Sequence, residues 1–180
     1  MGGPGWHAAD GLRGRVAPER WCGRAGTAVL APVTARADGD VLRIGIIADM
    51  SGPYIEGTGE GSVAAARLAV EDFGPTVLGR RIAIISADHQ NKPDIASIIV
   101  RNWIDTKGVD VAAEGVNSAV ALAVQAVTRE RGKIFLISGA GSSDLTGNSC
   151  SPTGVHWTHD TYASSNATAK TLVARGEKSW

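Results

Sequence analysis

The stretch Leu42 to Phe73, LRIGIIADMSGPYIEGTGEGSVAAARLAVEDF, decides the fold. It opens on Leu42 to Ala48, an apolar, β-rich run without polar alternation, as a strand buried on both faces requires. It closes on Ser62 to Phe73, an Ala-rich segment that sets Val63, Ala66, Val70 and Phe73 at helical spacing. Between them lies Asp49 to Gly61, a loop rich in Gly with Pro53 inside it. Strand, loop and helix make one unit.

The same unit repeats down the chain. Leu78-Gly79 turns into a strand over Arg81 to Ala87, and Pro93-Asp94 opens a helix with Ile95, Ile98, Ile99 and Trp103 on one face, ended at Gly108. Val109 to Val116 reads as a third strand, Ser118 to Arg131 as a third helix and Lys133 to Ser138 as a fourth strand. Val155 to Thr158 is a candidate fifth strand and Tyr162 to Arg175 a fourth helix. Apolar strands alternating with helices predict an α/β fold, a doubly wound parallel sheet of Rossmann-like or flavodoxin-like form.

In such sheets ligands bind beyond the carboxyl ends of the strands. Four segments follow those ends: Asp49 to Gly61, Asp88 to Asp94, Asn117 to Ala119, and Gly139 to Ser149. Asn117 and Ser118 can cap the third helix, and N–H groups there could hold a carboxylate. The segment Ser138 to Asp144, SGAGSSD, offers hydroxyls and exposed backbone with little side-chain bulk. A small zwitterion suits both loops, although capping and turn chemistry alone would select the same residues.

Catalytic and cofactor motifs do not assemble. Gly57-Thr58-Gly59-Glu60-Gly61 with Asp88 imitates a dinucleotide fingerprint, but Asp49 to Glu56 intervene between strand and glycines, and the third glycine is misplaced. No serine in Gly139 to Ser143 has the flanking glycines of a nucleophile elbow. His156 and His159 would share a face only on a helix, so no metal site is expected. Asp88-His89 beside Ser86 lacks a placed nucleophile. Asn166-Ala167-Thr168 is a formal glycosylation sequon that decides nothing alone.

The 180 residues carry 18 Lys plus Arg against 18 Asp plus Glu. A net charge of zero lacks the basic excess of a nucleic-acid binder. The balance hides an asymmetry. Residues 1–37 hold five arginines against Asp10 and Glu19, so they carry +3 and the remainder −3. That leader follows neither a helical nor a strand period; its arginines, the small apolar stretch Ala25 to Val33, and Ala35-Arg36-Ala37 are the parts of a secretory signal. Cys22 and Cys150 are too few for a disulfide scaffold.

Taken together, Asp49 to Tyr54 (DMSGPY), Ala64 to Asp72 (AAARLAVED), Ser86 to Gln90 (SADHQ), Asn117-Ser118, and Ser138 through Cys150-Ser151-Pro152 resemble the amino-terminal lobe of the leucine/isoleucine/valine-type solute-binding proteins, the extracytoplasmic receptors of ATP-binding-cassette importers. The resemblance runs from about Leu42 to Trp180. It implies that Ser118, with Asn117 and Ala119 beside it, receives a ligand carboxylate. The Ala140 carbonyl and Ser142 hydroxyl, with Gly141 between them, would accept from an ammonium group, and Tyr54 and Thr58 would lie on the cleft rim. It implies no cofactor, no metal and no catalysis, a small-molecule ligand such as an amino acid, permease subunits as partners, no nucleic acid, and a periplasmic location.

Two departures from that family stand out. Its first-lobe disulfide has no counterpart at Asp88 to Gln90 or Asn117; if Cys22 leaves with a signal, Cys150 is expected to remain a thiol. The chain also stops at Trp180, where a second lobe would begin. The expected organisation is a leader over 1–37 and a truncated amino-terminal lobe over 38–180, with the second lobe absent and ligand binding correspondingly weak. The alternatives are a Rossmann-type nucleotide-dependent oxidoreductase and a cytoplasmic ligand-sensing regulatory domain.

Overall fold

The computed structural model describes residues 40–177. The leader, its Ala-x-Ala site and Cys22 lie outside the described residues. The chain order is β1 (Val41–Ala48), α1 (Gly59–Phe73), β2 (Thr76–Val77), β3 (Arg80–Asp88), α2 (Pro93–Lys107), β4 (Val111–Glu114), α3 (Ser118–Glu130), β5 (Ile134–Ile137), a 3-10 turn at Ser143–Leu145, β6 (Gly154–His156) and α4 (Thr161–Ala174). The strands form one sheet in the order β2-β3-β1-β4-β5-β6. All neighbours are parallel except the short β2–β3 pair at the edge.

The doubly wound α/β architecture read from the sequence is therefore present. The third strand is shorter than expected, Val111–Glu114 within 109–116, and the fifth expected strand lies at Gly154–His156 instead of 155–158. Two further differences are local. The two-residue strand β2 was hidden in the turn before β3, and α1 begins at Gly59, so two of the loop glycines, Gly59 and Gly61, belong to the helix. Cys150 corrects an expectation: it is disulfide-bonded, not a thiol.

Local chemistry explains the helix ends. Pro93 stands at the start of α2, where its missing N–H costs nothing, and Gly108 closes that helix in the left-handed region at φ 63°. Asn117 caps α3, its Oδ1 accepting from the N–H groups of Ala119 and Val120 at 2.8 and 3.2 Å.

The larger core lies on the face covered by α2 and α3. Ile47, Val100, Trp103, Ala112, Val120, Val124, Phe135 and Ile137 meet there, all buried. Trp103 packs flat against β1: a Cβ on Gly45 would stand 2.5 Å from its ring, so only glycine fits beneath it. The other face carries α1 and a smaller cluster of Ile46, Ala48 and Val63. Helix α4 buries none of its residues.

Register aligns the strand ends. Ala48 lies opposite Asp88, and Ile47, Glu114, Ile137 and His156 follow one another across β1, β4, β5 and β6. The loops after the strands consequently gather along one edge of the sheet. Strand order reverses between β1 and β4.

Candidate functional site

Two carboxylates fold the loop between β1 and α1. Asp49 is fully buried and accepts from the N–H groups of Gly52 and Tyr54 at 2.8 and 3.0 Å. A Cβ on Gly52 would stand 2.5 Å from both carboxylate oxygens, so a glycine is required where the chain turns over them. From the neighbouring strand Asp88 accepts from Met50 N–H at 3.0 Å, from the Ser51 hydroxyl at 2.5 Å and from Gln90 N–H at 2.7 Å. Burial pushes the Asp88 carboxyl up, but those hydrogen bonds and nearby His89 outweigh it and hold it below the usual carboxylate value.

The loop's own residues serve the loop. Tyr54, half exposed on the rim, receives Thr58 N–H and the Thr58 hydroxyl on its carbonyl. Thr58 is itself buried, so its hydroxyl is committed to Tyr54. With segment 49–58 closed on Asp49 and Asp88, the turn does not present glycine N–H groups directly after β1, as a dinucleotide pyrophosphate would need.

His89 is fully buried behind this loop. Its Nδ1 accepts from Asn91 N–H at 3.0 Å, which fixes the proton on Nε2, and Nε2 has no partner. Burial lowers the imidazole below its ordinary value, against the opposing pull of Asp49 and Asp88.

Glu114 ends β4 at the strand-order reversal. It is buried and sits at φ 95°, a region that non-glycine residues rarely occupy. Its Oε2 accepts from Gly115 N–H at 2.5 Å and Val116 N–H at 3.1 Å. Burial raises this carboxyl above its ordinary value, with the Asp49 charge adding to the rise and the two N–H groups opposing it.

The start of α3 is nearly saturated. Asn117 Oδ1 takes the Ala119 and Val120 N–H groups, and Asn117 O takes that of Ala121. Ser118 alone keeps both N–H and hydroxyl without a partner among the described residues. The broad N–H cradle expected here from the sequence is thus reduced to the backbone N–H groups of Asn117 and Ser118. Ala119 contributes an exposed methyl group and Asn117 its remaining amide nitrogen.

After β5 the chain is tied to the segment after β6. Ala140 is buried, and its carbonyl accepts from His156 Nε2 at 2.6 Å; Thr158 Oγ1 lies 3.2 Å from the same nitrogen. Gly141 O accepts from Thr161 N–H at 2.7 Å, and Ser142 Oγ from Asp144 N–H at 3.3 Å. The Ala140 carbonyl is committed to His156 inside the fold, while the Ser142 hydroxyl can still donate. Gln125, buried in α3, donates to Leu145 O and Ser149 O at 3.0 and 2.7 Å and so holds the rest of this loop. Asp49, Asp88 and His89 stand in stretches that carried the resemblance without a role of their own, whereas Glu114 and Gln125 have no sequence motif; their signal was a polar residue ending an apolar strand or interrupting an apolar helix face.

The structure is a doubly wound parallel lobe whose small polar loops gather at the carboxyl edge of the sheet, where strand order reverses. The chain belongs to the periplasmic binding protein family, which matches residues 41–180. It is similar to a periplasmic binding protein from Burkholderia mallei (42% identity, TM-score 0.75), covering 78% of this chain and 38% of that one. A branched chain amino acid ABC transporter periplasmic ligand-binding protein from Burkholderia xenovorans LB400 is 34% identical, with TM-score 0.71, covering 77% of this chain and 37% of that one. A solute binding protein of an ABC transporter from Rhodopseudomonas palustris BisB5, in complex with 3,4-dihydroxy benzoic acid, is 25% identical, with TM-score 0.70 and coverage of 77% and 37%. The chain thus spans well under half the length of these proteins. No curated protein matches it.

Proposed function

We propose that residues 38–180 are the amino-terminal lobe of an extracytoplasmic solute receptor for an ATP-binding-cassette importer, with residues 1–37 as its secretory leader. The lobe binds a small carboxylate-bearing solute, an amino acid or an aromatic acid, without transforming it, and presents it to permease subunits. The observation that carries this reading is Ser118, whose N–H and hydroxyl stand open at the strand-order reversal while the Gly115, Val116, Ala119 and Val120 amides are occupied. Similar proteins named for branched-chain amino acids and for aromatic acids support the solute class.

Amide NMR on the 180-residue chain tests it. Titration with L-leucine or with 3,4-dihydroxybenzoate should shift the Ser118 amide in a saturable way, weakly because one lobe supplies only part of a cleft. A Ser118 amide unmoved by both, or a saturable response to NAD, would sink the proposal.

A further inference from the structure

Glu114 does something that neither packing nor strand geometry asks of it. A buried carboxyl in a parallel sheet is expensive unless it is hydrogen-bonded, and a positive φ at a residue with a Cβ adds local strain. Both costs are carried at a single position, the last residue of β4, beside the point where strand order reverses. What they maintain is the pair of bonds from Oε2 to Gly115 N–H and Val116 N–H. Two successive N–H groups turned toward one acceptor make an anion-binding concavity. In this chain the acceptor comes from the chain itself.

We infer that Glu114 is a specificity-determining residue of the half-cleft: its carboxyl group fills the Gly115–Val116 amide pair and leaves anion recognition in the loop after β4 to the Asn117 N–H and to Ser118. Asn117 completes the restriction by occupying Ala119 and Val120. A ligand carboxylate meets the few donors left, the Asn117 N–H and the N–H and hydroxyl of Ser118, which suits a monocarboxylate. A compact dianion such as phosphate needs several converging donors, and four amides of this loop are already taken. The inference deepens the solute reading above and rests on it for the role of Ser118. The occupancy of Gly115 and Val116 can be read separately.

The experiment compares wild type, Glu114→Gly and Glu114→Gln by amide NMR during titration with sodium phosphate at pH 7, against sodium chloride at equal ionic strength. Glycine accepts φ 95° without strain and removes the carboxyl group; glutamine keeps an oxygen on the amide pair. Saturable phosphate shifts at Gly115 and Val116 are expected in Glu114→Gly alone. Their absence from a Glu114→Gly chain whose spectrum otherwise overlays wild type would overturn the inference, as would their presence in wild type or Glu114→Gln. Should the glycine variant fail to fold, the other two chains still carry the test, since a phosphate shift at either amide in either chain contradicts prior occupancy. A Ser118 amide that ignores L-leucine and 3,4-dihydroxybenzoate would remove the solute reading while leaving the result at Gly115 and Val116 intact.

Discussion

The two faces of the sheet are made from nearly the same residues and end in different states. On β1, Ile47 faces α2 and α3 and is fully buried; its neighbour Ile46 faces α1 and is also buried, but the Ile44 and Ile84 beside it are only partly so. On β4, Ala112 belongs to the first face and Ala113 to the second. The contrast comes from the helices. Helices α2 and α3 close over one face with Val100, Trp103, Val120, Val124 and Val127. Helix α1 turns small alanines such as Ala65, Ala66 and Ala69 toward its face and leaves a groove of about 600 Å³ lined also by Ile44, Ile46, Phe73 and Trp157. Apolar strands specify burial; helix side chains decide how completely it is delivered.

Substitutions on the two faces should therefore separate widely. Trp103→Ala, on the closed face, should lower stability by about 3–5 kcal/mol, the range for removing a large buried aromatic. Urea unfolding followed by circular dichroism measures it, and a loss under about 1 kcal/mol would show that the closed face is not the main source of stability. Gln125→Ala should cost about 1–3 kcal/mol by leaving Leu145 O and Ser149 O without their donor. Faster amide exchange confined to residues 143–150 would accompany it.

The strand-end cluster gives a smaller, pH-dependent effect. His89 is held neutral by burial, so its folded value lies below the unfolded value near 6.5. As pH falls below that unfolded value, the unfolded chain takes up the proton first and stability drops. Glu114 acts in the opposite sense, because its raised folded value gives stability that is lost as pH climbs through it from the acid side. Comparing unfolding midpoints from pH 7 to pH 5 in wild type and His89→Gln separates the two, since the variant should lose the acid-side decline. An unchanged slope would remove His89 from this account. Phe73→Ser, on the open face where Phe73 is 68% exposed, should change stability by no more than about 0.5 kcal/mol. A larger loss would mean that α1 is closed over more firmly than its exposure shows.

Much of this fold was legible because parallel sheets advertise themselves. Leu42 to Ala48, Arg81 to Ala87 and Lys133 to Ser138 are predominantly apolar runs, and all three fall within a residue or so of observed strands. Pro93, Gly108 and Asn117 marked helix ends through chemistry that acts over one turn. Strand β2 was invisible because its two residues have no room for a period. The site was legible only by location: Ser118 and the loop after β5 stand at strand ends as expected, but their free donors and acceptors could not be counted from the sequence.

The sequence by itself determined the order of strands and helices, the winding of the sheet and the edge on which the loops collect, since periodicity and capping are local. The tertiary structure alone decided which of those loop groups remain open. Glu114 meets its own succeeding amides through a backbone turn, Ala140 gives its carbonyl to a histidine 16 positions away, and Asp88 reaches Met50 from the neighbouring strand. Hydrogen bonds to buried groups are satisfied in space, by whichever partner the packed strands bring near, and no spacing along the chain encodes that choice.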